Sequence, residues 1–239
     1  MDGLVMKKLI IIFLATISIA GCSTQQKAEP GSTNLIDDSL SHFENIYDYG
    51  DARVENGELI LRSTGNWFLT TKKRYQDFIL TAEVIMPDVN EYSNSGIMFR
   101  GQVKTTGDKR EAMGYQAEVD PSDRKWSGGL YDQARRQWLH PVHATRSEPD
   151  EDFKESYLPG WTDEMANAYR HLEWNKYRIE CRGSDIKIYV NGVLTTHVRD
   201  TKDSEGFIGL QHHGSQLLKE TGRTNNIVRF RNVTITELE

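Results

Sequence analysis

Beyond about residue 35 the chain alternates apolar and polar positions in short runs, broken by clusters of Gly, Pro, Asn, Asp and Ser. Such runs fall at residues 58–62, 67–70, 78–86, 95–102, 114–120, 128–132, 137–142, 176–182, 185–190, 193–199, 206–212 and 227–236. A period of two is what a strand with one face on a core requires. Many short strands with no long amphipathic helix predict an all-β chain folded as an antiparallel sandwich or barrel. The clearest unit is near the C-terminus, where Ile186, Ile188 and Val190 alternate with polar residues and run into Asn191-Gly192 before Val193. Both turn residues tolerate positive φ, which marks a two-residue hairpin. A second turn at Gly183-Ser184 makes 176–199 a three-strand meander.

Two segments break this rhythm. Residues 143–171 are rich in Asp and Glu, carry Pro149 and Pro159-Gly160, and end in a helix-like stretch at 162–171 opened by Thr162-Asp163-Glu164. This predicts an irregular or partly helical insertion over one end or face of the sandwich, anchored by Phe153, Tyr157, Leu158, Trp161 and Tyr169. At the other end, Lys7 and Lys8 precede an apolar run at 9–20 that closes on Ile19-Ala20-Gly21-Cys22. The run is too short to span a bilayer comfortably. Residues 1–21 read as a signal peptide with Met6 as the true start. Small residues before a lone Cys resemble the lipobox of bacterial lipoproteins, so Cys22 is expected to be lipidated and to hold the chain to the bacterial cell envelope, at the outer membrane or the periplasmic leaflet. Residues 22–34, rich in Ser, Thr, Gln, Gly and Pro, read as a flexible tether,. That leaves 35–239 as the folded domain.

The 239 residues hold 29 Lys and Arg against 35 Asp and Glu, a net charge of -6, with 37% hydrophobic residues. This is ample material for one sizeable core, which excludes disorder and a disulfide-stapled mini-fold. The acidic balance lacks the basic footprint of a nucleic-acid binder, and nucleic acid is not an expected partner. With Cys22 given to the anchor, the remaining thiol is Cys181. It provides neither a disulfide framework nor a thiolate zinc site, and its alternation with Tyr177 and Ile179 makes it a small buried hydrophobe.

No phosphate-cradling loop, nucleophile elbow, zinc-binding helix or calcium loop is present. The candidate chemistry lies instead on strand faces. In 113–120, Tyr115, Ala117 and Val119 suit the core, which puts Gln116, Glu118 and Asp120 together on the opposite face,. In 95–100, Ile97 and Phe99 point inward and Arg100 emerges on the other side, so one Arg and two carboxylates share a surface. The plainer alternative is a solvated face with ordinary cross-strand ion pairs. Adjacent His212 and His213 close a strand beside Gly214, placed to titrate or hydrogen-bond near neutral pH. As metal ligands the pair is weak, and His140 and His143 add no diagnostic spacing. No cofactor is therefore expected, a divalent metal being the minor alternative. Trp67, Trp126, Tyr131, Trp138 and Trp161 stand among Asn, Gln, Asp and Arg, the mixture a sugar ring uses for stacking and hydroxyl recognition. Trp in a sandwich is equally core material, and Trp174, leading into a strand, is assigned to the core.

From about Phe43 to Leu238 the chain resembles the 3-keto-disaccharide hydrolase family, concanavalin A-like jelly-roll sandwiches formerly catalogued as a domain of unknown function. The resemblance is carried by Asn94-Ser95-Gly96-Ile97 with Arg100, Gly114-Tyr115-Gln116-Ala117-Glu118, Leu130-Tyr131-Asp132 with Arg135-Arg136, Trp174-Asn175, Asn191-Gly192, and 206–214 with 228–233. It implies two curved antiparallel sheets with a site on the concave face and an activity on C3-oxidised disaccharides or glycosides. A C3 ketone acidifies the C2 proton. A base can then remove it, the C1 substituent leaves, and water adds to the unsaturated sugar, for net hydrolysis. The implied roles are Glu118 as base, Arg100 as oxyanion partner, and His212 or His213 as acid to the leaving oxygen. Gln116, Asp120, Tyr131, Asp132, Arg135, Trp138 and Gln211 would bind the sugar. An oxidoreductase that makes the keto-sugar is implied as a functional partner. The alternatives are a non-catalytic carbohydrate-binding module and a purely structural surface lipoprotein. The oligomeric state is not legible.

Overall fold

The computed structural model describes residues 31–239; the expected signal peptide, Cys22 and most of the expected tether lie outside them. In chain order the strands are β1 (Thr33–Asn34), β2 (Phe43–Glu44), β3 (Asp51–Glu55), β4 (Glu58–Arg62), β5 (Trp67–Thr71), β6 (Phe78–Ile85), β7 (Ser95–Thr106), β8 (Lys109–Val119), β9 (Leu130–Gln133), β10 (Gln137–His140), β11 (Phe153–Ser156), β12 (Asn175–Arg182), β13 (Asp185–Val190), β14 (Val193–Asp200), β15 (Phe207–His212) and β16 (Val228–Glu237). Two short helices, α1 (Asp163–Ala166) and α2 (Gln216–Thr221), interrupt them. Thr33 and Asn34 pair with β16, so ordered chain begins slightly before Leu35. Among the described residues no helix is long and apolar enough to cross a membrane.

All pairings are antiparallel and form two sheets. One has nine strands in the order β11-β14-β13-β12-β6-β16-β4-β3 with β1 on β16; the other has seven, in the order β10-β9-β8-β7-β15-β5-β2. Alternation explains why they stack. Phe78, Leu80, Ala82 and Val84 of the larger sheet meet Ile97, Phe99, Ala117 and Leu210 of the smaller one in a single buried core. Each such large apolar side chain contributes about 1.5–3 kcal/mol on burial. This is the expected concanavalin A-like jelly-roll sandwich. The hairpin at Asn191-Gly192 has both residues at positive φ, 49° and 89°, and Gly183-Ser184 joins Arg182 to its partner Asp185. Cys181 is buried in the core, which pushes its thiol up to about 12 and leaves it inert,.

The insertion is ordered. Its strand β11 extends the nine-stranded sheet by pairing with β14, and Phe153 and Tyr169 pack on the core. The helix is shorter than the 162–171 expectation: Thr162 caps it, and it stops at Ala166. Trp174 is a correction, because it is only half-buried and lies at the surface under the Arg231 guanidinium, 4.1 Å from its ring.

The seven-stranded sheet is covered on both faces near its centre. Phe68 and Met98 point away from the main core into a second apolar cluster with Ile46, Ala112 and Phe207. Gln116, Glu118 and Gln211 on that outer face are buried rather than solvated.

Candidate functional site

Register along β8 and its neighbours decides which side chains meet. Gln116 pairs with Met98 and Tyr131, and Glu118 with Gly96. Tyr131 in turn pairs with Trp138. These residues share the outer face, as the alternation around Tyr115 predicts. At its centre Glu118 is 4% exposed. The Glu118 backbone is pinned on three sides, its N–H donating to Gly129 O and its carbonyl accepting from Gly128 N–H and the Tyr177 hydroxyl. Gly128, at φ 84°, lies so close to Thr195 that a Cβ would be 2.4 Å from its hydroxyl oxygen.

The Glu118 carboxylate accepts from Asn94 Nδ2 and Gln116 Nε2, each at 2.9 Å, and lies 3.5 Å from the Arg124 guanidinium. Burial pushes its pKa up to about 7; the Asn94 bond and Arg124 pull it down, and Asp120 pushes it up,. A carboxylate poised there can accept a proton near neutral pH. Arg124 is held by Asp120, whose Oδ2 accepts from its Nε at 2.8 Å, while Asp120 Oδ1 accepts from Ser122 N–H. Asp120 therefore positions a cation beside the Glu118 carboxylate.

The glutamines are oriented by what their amide nitrogens donate to. Gln116 Nε2 is spent on Glu118, and Gln211 Nε2 donates to Asn66 Oδ1 at 2.8 Å. Both Oε1 atoms are buried without a protein partner. Around them stand aromatic rings. Trp138 is 1% exposed, with Arg124 over it at 4.8 Å and the edges of Trp126 and Tyr131 at 4.8 and 5.1 Å. Its face is occupied, so it supports Arg124 and offers no stacking surface. Tyr131 and Trp126 are half-buried. Tyr92 is 60% exposed and sits edge-on to His213 at 5.0 Å.

Other sequence candidates are placed elsewhere. Arg100 sits at a register shift of β7 with φ 48°, which breaks the alternation. Its fully buried guanidinium donates to Gln76 O, Asp203 O and Asp77, so it cannot serve as an oxyanion partner to a base at Glu118. Asp132 pairs with Tyr115 and shares its inward face. It is saturated by Arg135 and Arg136, which reach on to Asp203, and to Asp150 and Asp200. These ions tie the insertion to the sandwich on the inward side of β9, away from the Glu118 face. His212 pairs with Trp67 and faces inward. Its Nδ1 accepts from Gly214 N–H and its Nε2 donates to Asn226 O, which fixes a neutral tautomer with both nitrogens used,. His213, on the other side of the strand, is beside Asn94, whose carbonyl accepts its backbone N–H at 3.2 Å. Burial lowers the pKa of both histidines. Trp67 is core, and Trp161 donates to Lys125 O by the insertion.

Sequence reasoning missed Arg124 and Tyr92. Both are in connections with no period; the sole local signal is the Asp120-Pro121-Ser122 turn that precedes Arg124,. Among the described residues no group of three or more His, Cys, Asp or Glu side chains is arranged to hold a metal ion. A separate depression of about 400 Å³, lined by Asp163, Glu164, Asn167, Arg170 and Asn191 among others, shares no residue with the Glu118 cluster.

A family model described as the 3-keto-alpha-glucoside-1,2-lyase-like domain matches residues 31–236. No curated protein matches the sequence. Among solved structures, two putative glycosyl hydrolases from Parabacteroides distasonis are similar in fold. One is 16% identical with a TM-score of 0.54, over 87% of this chain and 94% of that one; the other is 18% identical with a TM-score of 0.52, over 87% and 99%. A carbohydrate-binding module from Bacillus subtilis is 16% identical with a TM-score of 0.50, over 82% and 96%.

Proposed function

We propose, since the chain belongs to the 3-keto-alpha-glucoside-1,2-lyase-like family, that it cleaves glycosides oxidised at C3, with Glu118 as the base. The observation that carries this reading is a buried carboxylate with its pKa pushed up to about 7, beside a guanidinium and on the same sheet face as two buried amide oxygens without protein partners. Glu118 takes the C2 proton, and the electron pair of that C–H bond moves into an enolate whose negative charge rests on the C3 oxygen. Arg124 takes the oxyanion role expected of Arg100 and stabilises that charge. The enolate then collapses to a C1=C2 double bond as the C1–O bond breaks. The leaving oxygen picks up a proton through His213 or the protonated Glu118. Addition of water across C1=C2 gives net hydrolysis. Saccharide contacts fall to Gln116, Gln211 and Tyr131, and the scheme uses no cofactor.

Lipidation of Cys22 and attachment to the bacterial envelope are part of the same proposal, supported by the charged and apolar leader that precedes it. Incorporation of a labelled fatty acid into the native chain but not into Cys22→Ser is the expected result.

The test of activity is to incubate the full chain in detergent with a 3-keto-disaccharide and with its unoxidised parent, following products by mass spectrometry with chelator-treated and metal-supplemented arms. Cleavage of the keto form alone is expected. Cleavage of the parent alone would replace this chemistry with conventional glycoside hydrolysis. Binding of saccharide with no cleavage in any arm would make the protein a carbohydrate-binding module.

A further inference from the structure

We propose that Gln116 and Gln211 form a fixed pair of hydrogen-bond acceptors that selects the sugar ring by its free hydroxyl donors. This rests on the reading of the outer face as a saccharide site. Gln116 and Gln211 are 2% and 1% exposed. An amide can present either its oxygen or its nitrogen; the Glu118 carboxylate decides the Gln116 end, and the Asn66 amide, oriented together with it, sets the Gln211 end,. Glu118 Oε2 takes the Gln116 N–H and Asn66 Oδ1 takes the Gln211 N–H. Each Oε1 is left buried and unpartnered, and a buried acceptor left unsatisfied is destabilising. Two atoms that can only accept call for two donors, which the hydroxyls of a ligand can supply. Gly96 makes their approach feasible. It pairs with Glu118 on the strand between Gln116 and the β15 strand of Gln211, and the Gln116 side chain lies directly over it.

The chemical class follows from the donor requirement. Hydroxyls at two positions of the ring donate to Gln116 and Gln211. An ether, ester or sulfate at either position presents acceptors only and is rejected, because it leaves the amide oxygen unpaired and opposes it with another lone pair. A site that reads donors in this way discriminates strongly against an analogue lacking one. The substrate class is therefore a keto-glycoside whose oxidised ring carries unmodified hydroxyls.

The experiment compares the 3-keto-disaccharide with its mono-deoxy and mono-O-methyl analogues at each hydroxyl of the oxidised ring, using the full chain and reading Kd by calorimetry and KM by turnover. At two positions a loss of tenfold or more is expected. In Gln211→Met the ratio of analogue to parent KM at one of these positions falls to about one; in Gln211→Glu, which keeps acceptor oxygens, the loss persists. Gln116 also holds Glu118, so Gln116→Met is read as the ratio of analogue to parent KM, a double-mutant cycle that cancels its effect on the base. Equal binding of all analogues, or a loss that survives in both Met variants, would overturn the acceptor pair. Cleavage without hydroxyl dependence overturns the pair and leaves the catalytic reading standing. Hydroxyl-dependent binding without cleavage does the reverse, and binding of no saccharide overturns both.

Discussion

Asn94 Nδ2 donates to Glu118 Oε1 at 2.9 Å, linking the connection before β7 to the C-terminal end of β8. The bond favours the charged carboxylate and opposes the burial that disfavours it,. Asn94→Ala removes the donor and leaves the burial, so the Glu118 pKa rises. The acid limb of kcat/KM, expected near pH 7 in the native enzyme, should move up by about one unit. A pH–rate profile checks this, and an unmoved limb would remove Asn94 from control of the base.

The same carboxylate should leave a mark on stability. Its folded pKa of about 7 lies above the ordinary 4.5, so between those values the native state holds a proton that the unfolded chain has lost. Stability then falls as pH rises through that window, and the deficit is complete above the folded pKa. The full effect is about 3 kcal/mol for this group. Denaturant unfolding of the native chain and Glu118→Gln at pH 4.5 and pH 8 should show a fall with pH that is larger in the native protein. Equal pH dependence in the two would mean that Glu118 is not held protonated by burial.

The sequence makes legible what local periodicity controls. Asn191-Gly192 and Gly183-Ser184 form their turns, Cys181 is core, and Tyr115 and Glu118 take opposite faces of β8. Failures occur where another force sets direction. Arg100 is turned by a positive-φ register shift that alternation does not encode. Asp132 follows the alternation, but its two arginine partners hold it inward. His212 and His213 are consecutive on a strand end and so diverge; one is locked inward and one stays by Asn94. Arg124 and Tyr92 are brought to Glu118 by turns whose path depends on tertiary contacts,.

Arg124 and Arg100 should respond oppositely to the same substitution. Arg124 is partly exposed, its side chain 29% accessible, and lies over Trp138 beside Glu118. Arg124→Met should lower kcat at least tenfold, with a smaller loss of stability than Arg100→Met because the buried Asp120 it leaves unpaired keeps the Ser122 N–H,. Arg100 is fully buried and holds backbone carbonyls of Gln76 and Asp203 with Asp77. Removing it strands those acceptors, so Arg100→Met should destabilise by about 3 kcal/mol. Thermal unfolding and kcat measured on both variants decide the matter. Loss of activity in a fully stable Arg100→Met would return Arg100 to the chemistry.

Gly96 and Gly206 separate a positioning glycine from a structural one. A Cβ on Gly96 would fall 2.5 Å from Gln116 Cδ and 2.6 Å from its Cγ and Nε2, all in the outer part of a flexible side chain. A Cβ on Gly206 would fall 2.2 Å from the backbone carbon of Arg100. The first clash is relieved when Gln116 turns away, which breaks its bond to Glu118 and redirects its Oε1. The second requires β7 and the start of β15 to separate. Gly96→Ala should therefore fold within about 1 kcal/mol of the native chain and lose tenfold or more in kcat/KM, whereas Gly206→Ala should destabilise by about 3 kcal/mol. Chemical denaturation paired with turnover distinguishes them. Full activity in Gly96→Ala would show that Gln116 need not lie over β7 for the reaction to proceed.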